Sequence, residues 1–194
     1  MEESQNRLRW GILATGSIAA SFVEGVMNCR LGEVVAVGSR SQESADRFAE
    51  RFGGIPNRHP SYQALLEDDS VDAVYIATPN TLHCQQTILA IQAKKPVLCE
   101  KPLAMNYDEA FSMISSSKQN STALLDGMWM RYLPHIQTLK KLLSEEKIGN
   151  IESVYACHGQ NLRRYSNPRL WTKKLGGGSL LDLGIYVISF SHMI

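Results

Sequence analysis

Apolar runs alternate with amphipathic segments along the first 130 residues of the chain. Five runs show no polar alternation, which is typical of strands covered on both faces. The runs are residues 8–14, 34–37, 73–77, 96–99 and 123–125. The segments with apolar residues at helical spacing are residues 17–27, 41–52, 61–66, 82–93 and 107–117. This alternation predicts a doubly wound parallel α/β sheet, whose ligand crevice lies beyond the carboxyl ends of the strands.

The pattern changes after about residue 130. It predicts a helix over residues 133–143, a strand over 151–157 and a further helix from Ser179 onward. We therefore divide the chain into residues 1–128 and residues 129–194, the second part holding a linker helix and the start of another domain. The last helix reaches Ile194 without a Gly, Asn or Pro stop signal. We expect a C-terminally truncated piece of a longer protein, with an incomplete second domain.

Composition narrows the classes of function. The chain has 194 residues, with 20 Lys and Arg against 19 Asp and Glu, and its net charge of +1 excludes a globally basic nucleic-acid binder. No secretory signal is visible and no window approaches about 18 apolar residues, so we expect no membrane partner. The four cysteines lie far apart without CxxC spacing, which indicates reduced thiols in the cytoplasm and predicts no metal site.

A degenerate form of the GxGxxG/A dinucleotide fingerprint follows the first apolar run. Ala14 stands at the first glycine position, and Gly16 keeps the glycine that lets the backbone approach a pyrophosphate. A helix that starts at Ser17 would direct its N–H groups at the phosphates. The predicted cofactor contacts here are Ala14, Thr15, Gly16, Ser17 and Ile18. The alternative is the tight strand-to-helix turn of any α/β protein.

The end of the second run bears on the choice of cofactor. NAD sites usually carry an acidic residue here, on the ribose 2′-hydroxyl. This run ends in Gly38-Ser39-Arg40 and offers no carboxylate. A hydroxyl and a guanidinium suit a 2′-phosphate, so Ser39 and Arg40 favour NADP, with NAD as the alternative. Arg40 could also be a solvated loop residue.

Two segments that follow the third and fourth runs resemble a known family. They are Thr78-Pro79-Asn80-Thr81-Leu82-His83 and Glu100-Lys101-Pro102-Leu103-Ala104. Residues 127–134 and 176–186 add to the resemblance, which covers essentially the whole chain. The chain resembles the glucose–fructose oxidoreductase, inositol dehydrogenase and rhizopine-catabolism family, known as Gfo/Idh/MocA. With a tyrosine at position 186, the chain is most similar to the branch of dihydrodiol dehydrogenases and NADP-dependent D-xylose dehydrogenases.

The resemblance implies a Rossmann domain that binds a nicotinamide cofactor, followed by an α+β domain with a mostly antiparallel sheet. Family members are substantially longer, and their second domain often makes subunit contacts, so we expect a homo-oligomer at full length. The further cofactor-binding residues that we predict at the strand ends are Thr78, Pro79, Asn80, His83, Glu100 and Lys101. His83 has a second interpretation, in which it only fixes the turn after Asn80.

Three residues are candidates for proton chemistry. Lys101 follows a predicted strand end, where its cation could orient a substrate hydroxyl and stabilise negative charge on oxygen. Asp182 and Tyr186 are four residues apart on a predicted helix, so they share a face. A nearby lysine cation would favour the tyrosine phenolate, an acid/base, while Asp182 would orient substrate or hold Lys101. In the family that the chain resembles, the corresponding Lys, Asp and His or Tyr line the active site, and the resemblance implies this role for Lys101, Asp182 and Tyr186. Separately, each also fits an ordinary surface feature.

Four further residues are tentative substrate neighbours: Trp129, Arg131, Arg169 and Trp171. Aromatic residues more often pack in a core, and the basic loop 163–169 could be solvated. Together these features predict an NADP-preferring dehydrogenase or reductase that transfers a hydride between the cofactor and a sugar, polyol or dihydrodiol hydroxyl. The alternative is a non-catalytic nucleotide-binding protein, or an inactive fragment of such an enzyme.

Overall fold

A parallel sheet dominates the first part of the computed structural model, which describes residues 7–162 and 167–194. Its strands are β1 (Leu8–Leu13), β2 (Gly32–Gly38), β3 (Asn57–His59), β4 (Ala73–Ile76), β5 (Val97–Cys99) and β6 (Leu124–Asp126). They lie in the order β3-β2-β1-β4-β5-β6, and all neighbours are parallel. The predicted doubly wound parallel sheet is therefore confirmed.

Helices connect the strands. They are α1 (Ser17–Met27), α2 (Gln42–Arg51), α3 (Tyr62–Leu66), α4 (His83–Gln92) and α5 (Tyr107–Asn120). Side-chain caps fix three of their starts, because Ser41, Ser61 and Asn106 each accept a hydrogen bond from a backbone N–H in the first turn of α2, α3 and α5. Helix α1 has no such cap, since its N-cap residue is Gly16.

Two apolar cores cover the two faces of the sheet. Successive residues of one strand point to opposite faces, and Ile12 and Leu13 of β1 belong to different cores. The core that contains Ile12 includes residues of α1 and α2, such as Val23 and Phe48. The core that contains Leu13 includes residues of α3, α4 and α5, such as Met113. Burial on both faces explains the near-continuous apolar runs of the sequence.

Among the strands of residues 7–162 and 167–194, only β3 was not predicted from the apolar pattern. It lies at the edge of the sheet and pairs with β2 alone. Its side chains bond to polar groups instead of packing in a core: Asn57 Nδ2 donates to Ser70 Oγ at 2.8 Å, and His59 Nε2 lies 2.8 Å from Asp68 Oδ2. An edge strand with a polar sequence carries no hydrophobic signal that could reveal it.

The chain divides into two compact units, Met1–Asp126 and Gly127–Ile194. In the second unit, helix α6 spans Pro134–Ser144, helix α7 spans Pro168–Trp171 and helix α8 spans Ile185–Met193. The helix predicted from Ser179 is present, but its first part, Leu180–Gly184, is a π-helix. No helix of residues 7–162 and 167–194 has the length and apolar character needed to cross a membrane.

The strand predicted over residues 151–157 is wrong, because this segment is neither helix nor strand. A strand is stable only when a neighbouring strand takes up its backbone hydrogen bonds. Within residues 127–162 and 167–194 the structure contains no strand that could do so. The apolar side chains of Ile151, Val154 and Tyr155 are exposed as a result.

Candidate functional site

The carboxyl ends of the strands meet at one edge of the sheet, and the turns that follow them are neighbours there. The backbone hydrogen bonds between neighbouring strands continue one residue beyond the ends of β4 and β5. The N–H of Ala77 donates to the Leu13 carbonyl at 3.0 Å, and the N–H of Glu100 donates to the Ile76 carbonyl at 3.0 Å. The turns after β1, β4 and β5 thus lie side by side, at the switch point where doubly wound sheets bind ligands.

The turn after β1 begins with a strained residue. Ala14 has φ of +87°, a left-handed conformation that costs a non-glycine residue about 1–2 kcal/mol. Its side chain is buried and its N–H donates to the Gly38 carbonyl at 2.9 Å, so the surrounding structure holds the conformation. The left-handed geometry explains why the dinucleotide fingerprint has glycine at this position.

The start of α1 is open to solvent, because Gly16, Ser17 and Ile18 are all exposed. Gly16 has no side chain to cap the first N–H groups, and a Cβ atom added to it would meet nothing within 4 Å. The space in front of the helix is therefore accessible to an outside group. Uncapped N–H groups and the positive end of the helix dipole fit a pyrophosphate.

The turn after β2 presents a cation. Ser39 is buried, and its N–H donates to the His59 carbonyl at 3.1 Å, which fixes the position of the next residue. Arg40 is exposed and has no carboxylate partner among residues 7–162 and 167–194. Burial raises the pKa of Tyr62, and the positive charge of Arg40 partly offsets that rise.

The turn after β4 contains a buried hydroxyl that protein groups do not satisfy. Thr78 is only 5% exposed, and no hydrogen-bond partner of its Oγ1 occurs in the part of the chain that the structure describes. A buried polar atom without a partner costs about 1–3 kcal/mol. A hydroxyl, amide or phosphate of a bound dinucleotide would remove that cost, so this observation also fits the implied cofactor.

His83 occupies the first turn of α4 and is fully buried. Its Nδ1 lies 2.8 Å from the Pro102 carbonyl oxygen, and its Nε2 lies 3.0 Å from the Thr78 carbonyl oxygen. The imidazole therefore lies between the turn after β4 and the turn after β5. This geometry corresponds to the second interpretation of His83, in which it fixes a turn.

Lys101 lies in the turn after β5, where Glu100 and the buried Tyr75 hold its backbone. The Lys101 N–H donates to Glu100 Oε2 at 3.0 Å, and the Tyr75 hydroxyl donates to Glu100 Oε1 at 2.5 Å. The Tyr75 ring stacks on Phe22 of α1 with a centroid distance of 3.8 Å. Burial raises the pKa of Tyr75, and the adjacent Glu100 carboxylate raises it further, so Tyr75 stays protonated as a donor. Both carboxylate oxygens of Glu100 thus have protein partners.

A cysteine next to this turn is chemically inert. Cys99 precedes Glu100 at the end of β5 and is fully buried. Burial raises the pKa of the Cys99 thiol to about 12. The reactive form of cysteine is the thiolate. Cys99 is therefore not a nucleophile at neutral pH.

In the second unit, an aromatic group surrounds the predicted acid/base. The Trp129 indole Nε1–H donates to the Tyr186 hydroxyl oxygen at 3.0 Å, and the two rings meet edge to face at 6.0 Å. The His158 ring lies 5.3 Å from the Tyr186 ring. The indole N–H therefore occupies one acceptor site of the phenol oxygen. This donor also stabilises negative charge on that oxygen.

Asp182 and Trp171 line a cavity of about 560 Å³ in the second unit. Its wall combines apolar side chains, those of Leu162, Leu170 and Leu183, with the polar groups of Gln160, Asn161 and Ser179. Arg131 is not on this wall, because its guanidinium Nε donates to the buried Ser189 Oγ of α8 at 3.0 Å. A cavity of this size is in the range of small-molecule sites.

The predicted site residues thus form two groups within the two units. The predicted cofactor residues and Lys101 lie at the carboxyl edge of the sheet, whereas Asp182 and Tyr186 lie on the last helical segment of the second unit. Arg169 is partly buried in the short helix α7. Residues 163–166 of the predicted basic loop lie outside the described residues.

Sequence reasoning missed Tyr75 and His158. Tyr75 lies inside an apolar run, where its ring was counted as core, although a buried tyrosine hydroxyl needs a hydrogen-bond partner and so signals a polar contact. His158 follows the segment predicted as a strand, and nothing in its neighbours marks it as close to Tyr186.

Two family profiles match the chain. Residues 8–127 match one described as an oxidoreductase family with an NAD-binding Rossmann fold, and residues 136–194 match the GFO/IDH/MocA C-terminal domain. The chain is 39% identical over 189 residues to the trans-1,2-dihydrobenzene-1,2-diol dehydrogenase of Danio rerio, and 34% identical to that of Homo sapiens. Each match covers 96% of this chain and 56% of the relative, so the chain spans about half the length of these relatives.

Solved structures show the same architecture. A 3-ketoreductase from Actinomadura kijaniata, in complex with NADP and TDP-benzene, is similar with a TM-score of 0.81 and 31% identity, over 97% of this chain and 57% of that chain. An NAD-binding oxidoreductase from Klebsiella pneumoniae shares the fold with a TM-score of 0.80 and 23% identity, over 96% of this chain and 53% of that chain.

Proposed function

Since the chain belongs to the Gfo/Idh/MocA oxidoreductase family, we propose that it takes part in hydride transfer between a nicotinamide dinucleotide and a CH–OH group of a sugar, polyol or dihydrodiol. One observation carries the proposal. The open start of α1, the unsatisfied Thr78 hydroxyl and the Lys101 turn lie at one edge of the sheet. In this proposal residues 1–128 form the cofactor domain, and residues 129–194 begin the substrate domain.

The cofactor supplies a hydride acceptor or donor when it is bound. The N–H groups at the start of α1 bind its pyrophosphate, and Thr78 Oγ1 binds a polar group. Lys101 orients the substrate hydroxyl and stabilises developing negative charge on its oxygen. Tyr186 exchanges the hydroxyl proton, assisted by the Trp129 N–H on its oxygen, and Asp182 orients the substrate.

We also propose that the cofactor is NADP. An exposed Arg40 without a carboxylate partner in the described chain, at the end of β2, provides a donor pair for a 2′-phosphate. Support also comes from the similar 3-ketoreductase, which was solved with NADP. An acidic residue at this position would instead select the ribose hydroxyl of NAD.

The remaining expectations concern the setting of the protein. We propose a cytoplasmic location, which fits four free cysteines of which two are exposed. We propose a homo-oligomer at full length, because the second unit exposes large apolar side chains such as Ile148 and Tyr155. A small molecule, and not a nucleic acid, is the proposed substrate.

A fluorescence titration with NADPH and NADH tests the proposal. The chain should bind NADPH more tightly, and Arg40→Ala should remove about tenfold of that preference, while NADH binding stays within about twofold. Lys101→Met should retain NADPH binding and abolish turnover across a panel of sugars, polyols and dihydrodiols. NADPH binding without turnover on any substrate would support the nucleotide-binding alternative, and absence of binding would refute the proposed function.

A further inference from the structure

A single buried side chain contacts the backbones of two functional turns. His83 is fully buried, and its two ring nitrogens lie 3.0 Å and 2.8 Å from the carbonyl oxygens of Thr78 and Pro102. These carbonyls are five and nineteen residues away in the sequence. Thr78 belongs to the turn with the unsatisfied buried hydroxyl, and Pro102 directly follows Lys101.

The chemistry of these contacts is constrained, because carbonyl oxygens only accept hydrogen bonds. A ring nitrogen that faces a carbonyl makes a hydrogen bond only when it carries a hydrogen. The neutral ring carries one hydrogen and can satisfy one carbonyl, whereas the imidazolium satisfies both. The two hydrogen bonds therefore require a hydrogen on both nitrogens, and each nitrogen then serves a different turn.

The two contacts have different consequences for Lys101. The Lys101 N–H is already anchored by Glu100 Oε2, which the Tyr75 hydroxyl holds in turn. His83 supplies the anchor on the other side, at the carbonyl of the next residue. Loss of that contact leaves the turn with its first anchor, so Lys101 would be displaced while the turn persists.

We propose that His83 is a positioning residue that sets the cofactor-binding turn at Thr78 and the Lys101 turn relative to each other. The inference rests on the proposed function, in which Thr78 binds the cofactor and Lys101 the substrate. His83 itself is assigned no contact with the cofactor or the substrate. It fixes the distance between the group that binds the cofactor and the cation that orients the substrate hydroxyl.

Two amide variants separate the contacts. The Asn amide nitrogen lies two bonds beyond Cβ, as Nδ1 does, so His83→Asn keeps the donor toward Pro102 and loses the one toward Thr78. The Gln amide nitrogen lies three bonds beyond Cβ, as Nε2 does, so His83→Gln keeps the donor toward Thr78. The two measurements are the NADPH dissociation constant and the acetylation rate of the Lys101 amine, followed by mass spectrometry on the full chain.

We expect a crossed result. His83→Asn should weaken NADPH binding at least threefold and leave the Lys101 acetylation rate within twofold, whereas His83→Gln should change the acetylation rate at least threefold and leave NADPH binding within twofold. The matched controls are His135→Asn and His135→Gln, at an exposed histidine of α6, which should change neither quantity. Equal behaviour of the two His83 variants would overturn the inference.

Two further outcomes are distinguishable. If the unmodified chain binds NADPH but the two His83 variants do not show the opposite effects on NADPH binding and Lys101 acetylation, only the positioning role fails. If the unmodified chain does not bind NADPH, both the proposed function and this inference fail. If both variants unfold, ¹⁵N NMR of the histidine-labelled unmodified chain decides. Both ring N–H groups of His83 should be protected from solvent exchange, and absence of protection at either nitrogen would refute the proposal.

Discussion

The Tyr75 hydroxyl connects the centre of the sheet to the Lys101 turn, and its removal gives a sharp prediction. Tyr75→Phe deletes one oxygen and keeps the ring, so the stacking on Phe22 persists and no large cavity forms. The deleted group donates a 2.5 Å hydrogen bond to Glu100 Oε1. Glu100 Oε2 still accepts from the Lys101 N–H, but the carboxylate loses its buried anchor.

The magnitude follows from the type of bond. Hydrogen bonds to charged groups contribute about 1.5–3 kcal/mol, and Glu100 is partly exposed, so water can replace part of the loss. We expect Tyr75→Phe to lower the free energy of unfolding by about 2 kcal/mol. With a urea dependence of about 2 kcal/mol per molar, the midpoint should fall by about 1 M.

Urea unfolding followed by circular dichroism measures this change. The matched control is Tyr62→Phe, which deletes the hydroxyl of a partly buried tyrosine for which the described residues offer no hydrogen-bond partner. That variant should stay within about 0.5 kcal/mol of the unmodified chain. If Tyr75→Phe lost no more than the control, the Tyr75–Glu100 bond would not stabilise the turn.

Three other predictions concern backbone strain and pH. Ala14→Val should destabilise the chain by about 2 kcal/mol or more in the same urea assay, because a β-branched residue resists φ of +87° more than alanine does; equal stability would contradict this. Asp72 has its pKa lowered by its hydrogen bonds to Arg9, so this contribution to stability is present above about pH 4 and is lost as the pH falls. The destabilisation by Asp72→Asn should therefore shrink in acid, and a constant difference down to about pH 2 would refute it. The pKa of Tyr75 is raised in the folded chain, so the free energy of unfolding should fall as the pH rises above about 10. Tyr75→Phe lacks the titrating hydroxyl, so its free energy of unfolding should fall less over the same pH range.

Most of the first unit could be predicted, because strands that are buried on both faces of the sheet appear in the sequence as continuous apolar runs. Helix α1 begins and ends at the predicted residues 17 and 27, and the runs at 73–77 and 96–99 contain β4 and β5. The polar edge strand β3 has no such pattern, since its side chains bond to Ser70 and Asp68 rather than to a core. The second unit was harder, because a strand depends on partners that local sequence does not specify.

The candidate site also has a part that could be predicted from the sequence and a part that could not. Residues next to strand ends could be named from the sequence alone, since topology brings all those ends to one edge. The partners of those residues could not be named, because the Tyr75–Glu100 and His83–Pro102 contacts join residues far apart in sequence. Trp129 was proposed as a substrate neighbour, but its hydrogen bond to Tyr186 across 57 residues had no sequence signal.

The position of β1 has a consequence for synthesis on the ribosome. β1 emerges before the other strands, yet it pairs with β2 on one side and with β4 on the other. After β2 ends at Gly38, about 35 more residues must be added before β4 begins at Ala73, which takes about 2–7 s at roughly 5–20 residues per second. One edge of the strand that leads to the nucleotide turn is unpaired throughout this interval. Chaperones that bind exposed apolar strands would meet the nascent chain in that window, before any cofactor can bind.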